Sequence, residues 1–319
     1  MDKELITLVV PCYNEEDALP VFYESICTLA DEMPFCGFEF LFVDDGSRDN
    51  TLKVIKELHS ADCRVSCVSF SRNFGKEAAI YAGLQNAARG GGLVALMDAD
   101  GQDPPELLKE MYKAIKEEGY DCVGTRRSTR KGEAPIRSFF AKKFYVLINK
   151  IGNVEIVDGA RDYRLMTRQM VDAILQMSEY NRFSKGIFVW VGFRTKYLSY
   201  ENVERVAGQT AFSFWKLFLY AIEGVLAFST APLAFASVFG VIASAGSVAA
   251  LIVIIIQKLA FGNPVSGWAS TIVIVLFLFG LQFLFTGIIG MYLSKVYSET
   301  KKRPIYLAKE IHRSVDSEE

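Results

Sequence analysis

Two aspartates one residue apart, Asp98 and Asp100, stand in the stretch Met97-Asp98-Ala99-Asp100-Gly101-Gln102-Asp103-Pro104-Pro105. Carboxylates so spaced can hold a hard divalent cation. Mg²⁺ or Mn²⁺ takes oxygen ligands and keeps positions open for a substrate diphosphate. Such a pair needs a rigid element to present it. Gly92-Leu93-Val94-Ala95-Leu96, directly before it, is short, apolar and led in by three glycines, which reads as a buried strand. Pro104 closes the turn, and a helix is expected from near Glu106. On an extended backbone, residues two apart point the same way, so both carboxylates would aim at one ligand. The competing reading is an acidic turn that only caps the next helix.

Three other polar clusters follow apolar runs. Leu5–Val10 is ended by Pro11 and leads into Cys12-Tyr13-Asn14-Glu15. An aromatic ring there can stack on a nucleobase and a carboxylate can accept its N–H. Phe38–Val43 is stopped by Asp44-Asp45-Gly46-Ser47, and Asp44 could act likewise; for each of these residues a helix cap or turn is the alternative. Val65–Phe70 precedes Ser71-Arg72-Asn73-Phe74-Gly75-Lys76. Here Arg72 and Lys76 can neutralise a diphosphate while Gly75 allows close backbone approach. Helical spacing over 15–30, 51–58 and 77–88 separates the strands. Alternating strands and helices imply an α/β fold with a mostly parallel sheet covered on both faces. Every cluster then falls at the carboxyl end of a strand, where open α/β sheets bind ligands.

After Gly124 the chain turns basic through Arg126, Arg127, Arg130, Lys131, Arg137, Lys142 and Lys143, with an aromatic helix expected over 138–151. Asp158-Gly159-Ala160-Arg161-Asp162-Tyr163-Arg164-Leu165-Met166, a further helix, and a segment rich in aromatic and β-branched residues over 186–200 follow. From Phe212 the character changes. Residues 212–228 carry only Lys216 and Glu223 as charges and read as an amphipathic helix at a membrane surface, with a buried core helix as the alternative. Residues 232–257 and 268–293 are uncharged and long enough to span ~30 Å of hydrocarbon. Lys295, Lys301, Lys302, Arg303, Lys309 and Arg313 follow the second run, whereas the connection between the two carries Lys258 alone. By the positive-inside rule the C-terminal segment and the N-terminal domain are cytoplasmic. The expected organisation is a catalytic domain over 1–210, an interfacial helix over 211–230, a two-helix transmembrane hairpin over 231–294 and a basic tail over 295–319. Small residues Ala243-Ser244-Ala245-Gly246-Ser247 in the first span permit close helix contact, and a homo-oligomer is expected.

Composition narrows the chemistry. A formal net charge of −2 over 319 residues argues against a nucleic-acid partner. The two histidines, His59 and His312, make histidine-based catalysis an unpromising reading. Six cysteines without a Cys-x-x-Cys pair point to free buried thiols in a reducing compartment rather than a zinc site. Met1-Asp2-Lys3-Glu4 leads straight into the first apolar run, so no signal peptide is expected.

Pro-Cys-Tyr-Asn-Glu-Glu, Val-Asp-Asp-Gly-Ser, Ser-Arg-Asn-Phe-Gly-Lys-Glu, Asp-Ala-Asp-Gly-Gln-Asp-Pro-Pro-Glu and Tyr-Arg-Leu-Met together resemble the inverting family 2 glycosyltransferases with a GT-A fold. Within these the resemblance is to polyprenyl-phosphate glycosyltransferases, namely bactoprenol glucosyltransferases and, more distantly, dolichyl-phosphate mannose synthases. It extends through Glu204-Arg205-Val206-Ala207-Gly208, both apolar runs and Thr300-Lys301-Lys302-Arg303-Pro304. The resemblance implies that Pro11, Tyr13, Glu15, Asp44 and Asp98 hold the nucleotide base and ribose. It implies too that Asp98, Asp100 and Gln102 place Mg²⁺ or Mn²⁺ against the diphosphate. Arg126 and Arg137 match positions used near the acceptor phosphate, and Asp162 matches the carboxylate taken as catalytic base. Gly101 departs from the family, which commonly has a larger apolar residue there.

The acceptor's chemistry qualifies that base. A lipid monophosphate, with its second pKa of ~6, is largely a dianion near pH 7 and needs no deprotonation to attack. Asp162 would then orient a sugar hydroxyl or balance Arg161 and Arg164; a salt-bridged structural role is the alternative. The expected activity is transfer of one sugar, glucose from UDP-glucose, to undecaprenyl phosphate at the cytoplasmic face of the inner membrane. GDP-mannose or a modified UDP-pentose is the rival donor, and a non-catalytic nucleotide-sugar-binding membrane subunit the rival from another class.

Overall fold

The computed structural model describes residues 3–87, 92–128, 157, 159–200, 229–261 and 267–313. Arg137, the helix expected over 138–151 and residues 211–228 of the expected interfacial helix lie outside the described residues.

Strands β1 (Glu4–Cys12), β2 (Cys36–Asp44), β3 (Val65–Phe70) and β4 (Leu93–Leu96) alternate with helices α1 (Ala18–Asp31), α2 (Thr51–Ala61) and α3 (Lys76–Asn86). They are followed by α4 (Leu107–Glu118), β5 (Cys122–Arg127), β6 (Ala160–Thr167), α5 (Arg168–Gln176), α6 (Ser184–Trp190) and β7 (Thr195–Tyr200). Two long helices, α7 (Ala231–Phe261) and α8 (Trp268–Thr300), precede a last strand, β8 (Ala308–His312). The eight strands form one sheet in the order β7-β5-β6-β4-β1-β2-β3-β8. Four of its seven pairings are parallel; β6 runs antiparallel between β4 and β5, and β8 antiparallel to β3.

Alternation along each strand divides the core in two. Ile6, Leu8 and Val10 of β1 pack with α1, α2 and α4 on one face, as do Tyr163 and Leu165 of β6. Val9 and Met166 face α3, α5 and α6 on the other. With both faces covered, the central strands are apolar throughout, as buried parallel strands are. β1 continues through Pro11, which the sequence marks as its end. Val9 O accepts from Met97 N on the β4 side. Pro11, two residues on, therefore turns its donor-less nitrogen to the side where β4 has already ended, so no ladder bond is lost.

β4 is shorter than the apolar run. The strand ends at Leu96; Asp98 follows just beyond it, and Asp100 sits on a turn rather than on extended backbone. Gly101 has φ of +69° in that turn, a left-handed conformation that a larger residue adopts only under strain.

The segment expected as a separate basic tail returns to the sheet. β8 pairs along β3, Ser71 N–H donates to Leu307 O at 3.0 Å, and Tyr306 stacks on Phe70 with ring centroids 4.9 Å apart. Before it, α8 is tied to the domain by Glu299, which accepts from the N–H groups of Tyr180 (3.0 Å) and Asn181 (3.1 Å), and by Lys295 Nζ, 2.9 Å from Asn181 Oδ1. Helical stretches Ala231–Gln257 and Thr271–Thr300, whose most apolar 18-residue windows have mean hydropathy 2.6 and 2.7, are long and apolar enough to cross a membrane, and the side chains of those windows face outward.

Candidate active site

The carboxyl ends of β1, β2, β3, β4 and β5 and the amino end of β6 share one edge of the sheet. β4 pairs with β6 by matching Leu96 to Arg164; two residues further along the same register, Asp98 comes level with Asp162. Lys76, the first residue of α3, reaches between them: its Nζ lies 2.8 Å from Asp98 Oδ2 and 2.6 Å from Asp162 Oδ2. Burial works against charge on Lys76, but Asp162 and Asp98 outweigh it and hold the ammonium above its ordinary range. Burial alone would likewise raise Asp162. Lys76 first, then Lys185 and Arg164, reverse that and keep its carboxyl well below the usual carboxylate range.

The loop that carries Lys76 is shaped from β2. Asp45 is buried and accepts from the backbone N–H of Phe74 (2.6 Å) and Gly75 (2.9 Å). Burial pushes its pKa up to about 6 against the pull of those two N–H groups. Gly46, with φ of +64°, lets this loop approach: a Cβ there would meet the Arg72 carbonyl carbon at 2.4 Å. Arg72 itself is exposed, its guanidinium 3.9 Å over the Phe74 ring. At the other end of the loop Glu77 accepts from the N–H (2.8 Å) and hydroxyl of Ser184, joining α3 to α6.

The expected nucleotide cradle divides. Asp44 is buried and committed within the protein, accepting from Ser47 N–H at 3.0 Å and Ser69 Oγ at 2.9 Å. Pro11 sits in the β1–β2 ladder opposite Val43. Tyr13 is exposed at the end of β1, and Glu15 is fixed through its backbone N–H, which donates to Thr51 Oγ1 at 2.8 Å.

Across β6 the groups are different. Arg161 and Asp162 are neighbours on a strand and project to opposite faces. Arg161 Nη2 lies 3.3 Å from Gln102 Oε1 and its Nε 3.4 Å from Asp103 Oδ1. Arg127 Nη2 donates to the same Gln102 Oε1 at 2.7 Å. Buried Asp103 also accepts from Tyr200 Oη at 2.7 Å, and burial raises its pKa although Arg161 opposes the rise. Arg126, by contrast, is exposed and donates to Ser199 Oγ at 2.7 Å. Asp100 accepts from Gln102 N–H at 3.1 Å, tightening the turn.

The donor set suits a hard divalent ion of the Mg²⁺ or Mn²⁺ kind. Asp98 and Asp100 offer carboxylate oxygens at the strand end, and such ions commonly take one or two carboxylates and complete their shell with water and substrate phosphate. Among the described residues no group of three acidic, histidine or cysteine side chains gathers there, and Gln102 Oε1 is given to the two arginines. Asp45, Asp103 and Tyr200 take part in the site without having been singled out from the sequence, which marked Arg127 only as part of a basic run and Arg161 only as a charge for Asp162 to balance. A signal existed for Arg161, because strand alternation through Arg161-Asp162-Tyr163-Arg164 predicts one charge on each face. Nothing in the local pattern marks Tyr200.

The model of the family described as Glycosyl transferase family 2 matches residues 7–175. The chain belongs to that family. As a family 2 member it is a glycosyltransferase, and its sheet is mixed and mostly parallel. CsbB of Bacillus subtilis (strain 168) is 44% identical over 310 residues, 97% of this chain and 93% of that protein. The SfII prophage-derived bactoprenol glucosyl transferase of Shigella flexneri is 41% identical over 308 residues, 97% of this chain and 98% of that protein. Among solved structures, the mannosyltransferase PcManGT from Pyrobaculum calidifontis is 16% identical and covers 94% of this chain and 87% of that one, with a TM-score of 0.44.

Proposed function

We propose that this glycosyltransferase moves glucose from UDP-glucose to a polyprenyl phosphate of the undecaprenyl kind at the cytoplasmic face of the plasma membrane, with inversion. The observation that carries the reading is the return of the chain from α8 into the catalytic sheet as β8. A strand paired to β3 keeps the C-terminal segment on the domain's side of a bilayer. Two crossings, α7 and α8, then make a hairpin, and the site is held beside the surface where a lipid phosphate lies. The names of the Shigella relatives support glucose as the sugar and bactoprenol as the lipid.

In this reading Tyr13, Glu15, Pro11 and Asp44 form the nucleotide end, and Arg72 and Lys76 face the diphosphate. Asp98 and Asp100 hold a divalent ion, which when bound supplies stabilisation of the leaving diphosphate. Lys76 balances two like charges and fixes Asp162. The acceptor attacks as a phosphate dianion, so Asp162 orients the sugar instead of removing a proton, in keeping with a carboxyl held well below its ordinary range. Arg126 and Arg137 remain the family-matched positions for the acceptor phosphate. The small-residue run in α7 supports association of copies through the membrane helices.

The test is incubation of the purified full chain with a panel of nucleotide sugars and undecaprenyl phosphate, with Mg²⁺ or Mn²⁺. Labelled glucose in the lipid with release of UDP is expected. Transfer from GDP-mannose in preference would replace the donor, and no lipid product with any nucleotide sugar would refute the acceptor.

A further inference from the structure

A line of stacked groups runs from the C-terminal segment to the loop that carries Arg72 and Lys76. Tyr306, between α8 and β8, lies on Phe70 with ring planes 24° apart and centroids 4.9 Å apart. Phe70 meets Phe74 edge-on at 5.7 Å, and the Arg72 guanidinium stands 3.9 Å over the Phe74 ring. The Tyr306 end is anchored in the domain. Its hydroxyl accepts from Asn86 Nδ2 at 3.1 Å and donates to Gln85 Oε1 at 2.9 Å, both in the last turn of α3. The register of β8 on β3 shifts between Ser69 and Phe70, and an irregularity of this kind re-aims the side chain beside it. Past the shift, Ser71 N–H donates to Leu307 O, so the loop is held at its root by backbone as well as by ring.

Phe70 is buried, Phe74 half-buried and Arg72 exposed. An exposed arginine samples many rotamers, and fixing one before a ligand arrives lowers the cost of binding. A ring beneath the guanidinium fixes it by the attraction of the π face and leaves the edge of the fork for phosphate oxygens. We propose that Tyr306 is a positioning residue for the donor diphosphate, setting Arg72 through Phe70 and Phe74. This rests on the assignment of Arg72 to the diphosphate above. The competing role for Tyr306 is to cover the edge of β3. Tyr306 precedes the β8 ladder, which begins at Ala308, so it shields no part of the paired edge, and its line ends on a cation instead of in the core. Residues 301–305 join it to α8, which ties the membrane-facing helix to the donor end of the site.

The test titrates UDP with Mn²⁺ calorimetrically into the full chain in detergent. Tyr306→Leu keeps apolar bulk and removes the ring. It is expected to weaken UDP about fivefold, the scale of a cation–π contact, while the KM for undecaprenyl phosphate stays within about twofold. Tyr306→Phe keeps the ring and is expected to hold affinity within about twofold of the wild type. In an Arg72→Gln background the Tyr306→Leu change is expected to cost nothing further, because the group it positions is gone. Phe74→Leu enters the same line from its outer end and serves if Tyr306→Leu fails to fold. Unchanged UDP affinity in Tyr306→Leu would overturn the proposal. So would losses that multiply in the double variant, or an equal rise in the lipid KM, which mark a general loosening. An Arg72→Gln protein that binds UDP as the wild type does would instead refute the diphosphate reading itself.

Discussion

The two faces of β6 solve the same problem, charge at a sheet edge, in opposite ways. On the α3 side one ammonium stands between two carboxylates, Lys76 with Asp98 and Asp162. On the α4 side two guanidiniums share an amide oxygen and one buried carboxylate, Arg127 and Arg161 with Gln102 and Asp103. In the first, Lys185 and Arg164 also act on Asp162, so its carboxylate is held ionised. In the second, Asp98 and Asp100 act on Arg161 beside Asp103, so its guanidiniums are balanced within the protein. Because adjacent strand residues alternate, a single dipeptide, Arg161-Asp162, supplies a guanidinium to one face and a carboxylate to the other.

The largest effect should come from the loop that both sides share. Asp100→Asn removes a charged oxygen from the metal set and should lower turnover about 10²-fold or more with the fold retained. Near-wild-type rates with added Mg²⁺ or Mn²⁺, measured beside an unchanged melting profile, would remove Asp100 from that role. Asp162→Asn should also be slow, but its pH profile is the informative part. The acid limb should stay at an apparent pKa of ~6, that of the lipid phosphate. Its disappearance in the variant would make Asp162 the base and erase the positioning role given to the α3 side.

The smallest effect concerns the frame of the α3 side. Asp45 has a folded pKa of about 6 against an ordinary 3.8. With the folded value raised, its contribution to stability is present below about pH 4 and is lost as pH rises through about 6. Asp45→Asn should flatten that decline, moving the difference between melting temperatures at pH 4.5 and 7 by a few degrees. An unchanged difference would mean that the carboxyl titrates normally and that the loop from Arg72 to Lys76 is not held by a strained buried acid.

How much of this was legible follows from range. The strands and the placement of polar clusters at their ends could be read because apolar runs and turn residues are local signals; Val65–Phe70 is the observed β3 residue for residue. Lys76 was marked as a cation for phosphate, but its two carboxylate partners lie 22 and 86 residues away, and only the sheet order brings them together. The same holds for Tyr200 on Asp103, 97 residues apart. The C-terminal segment read as a basic tail because Ala308–His312 lacks a continuous apolar run. As an edge strand it needs one covered face, and its pairing depends on an open β3 edge that local pattern does not reveal.

The central claim is that Lys76 serves the donor and Arg126 the acceptor. It is tested most directly by measuring KM for UDP-glucose and for undecaprenyl phosphate in Lys76→Gln and Arg126→Gln on the full chain. The account predicts a crossed pattern: Lys76→Gln raises the donor KM about tenfold or more with little change for the lipid, and Arg126→Gln does the reverse. If both variants moved the same KM, the division would be contradicted.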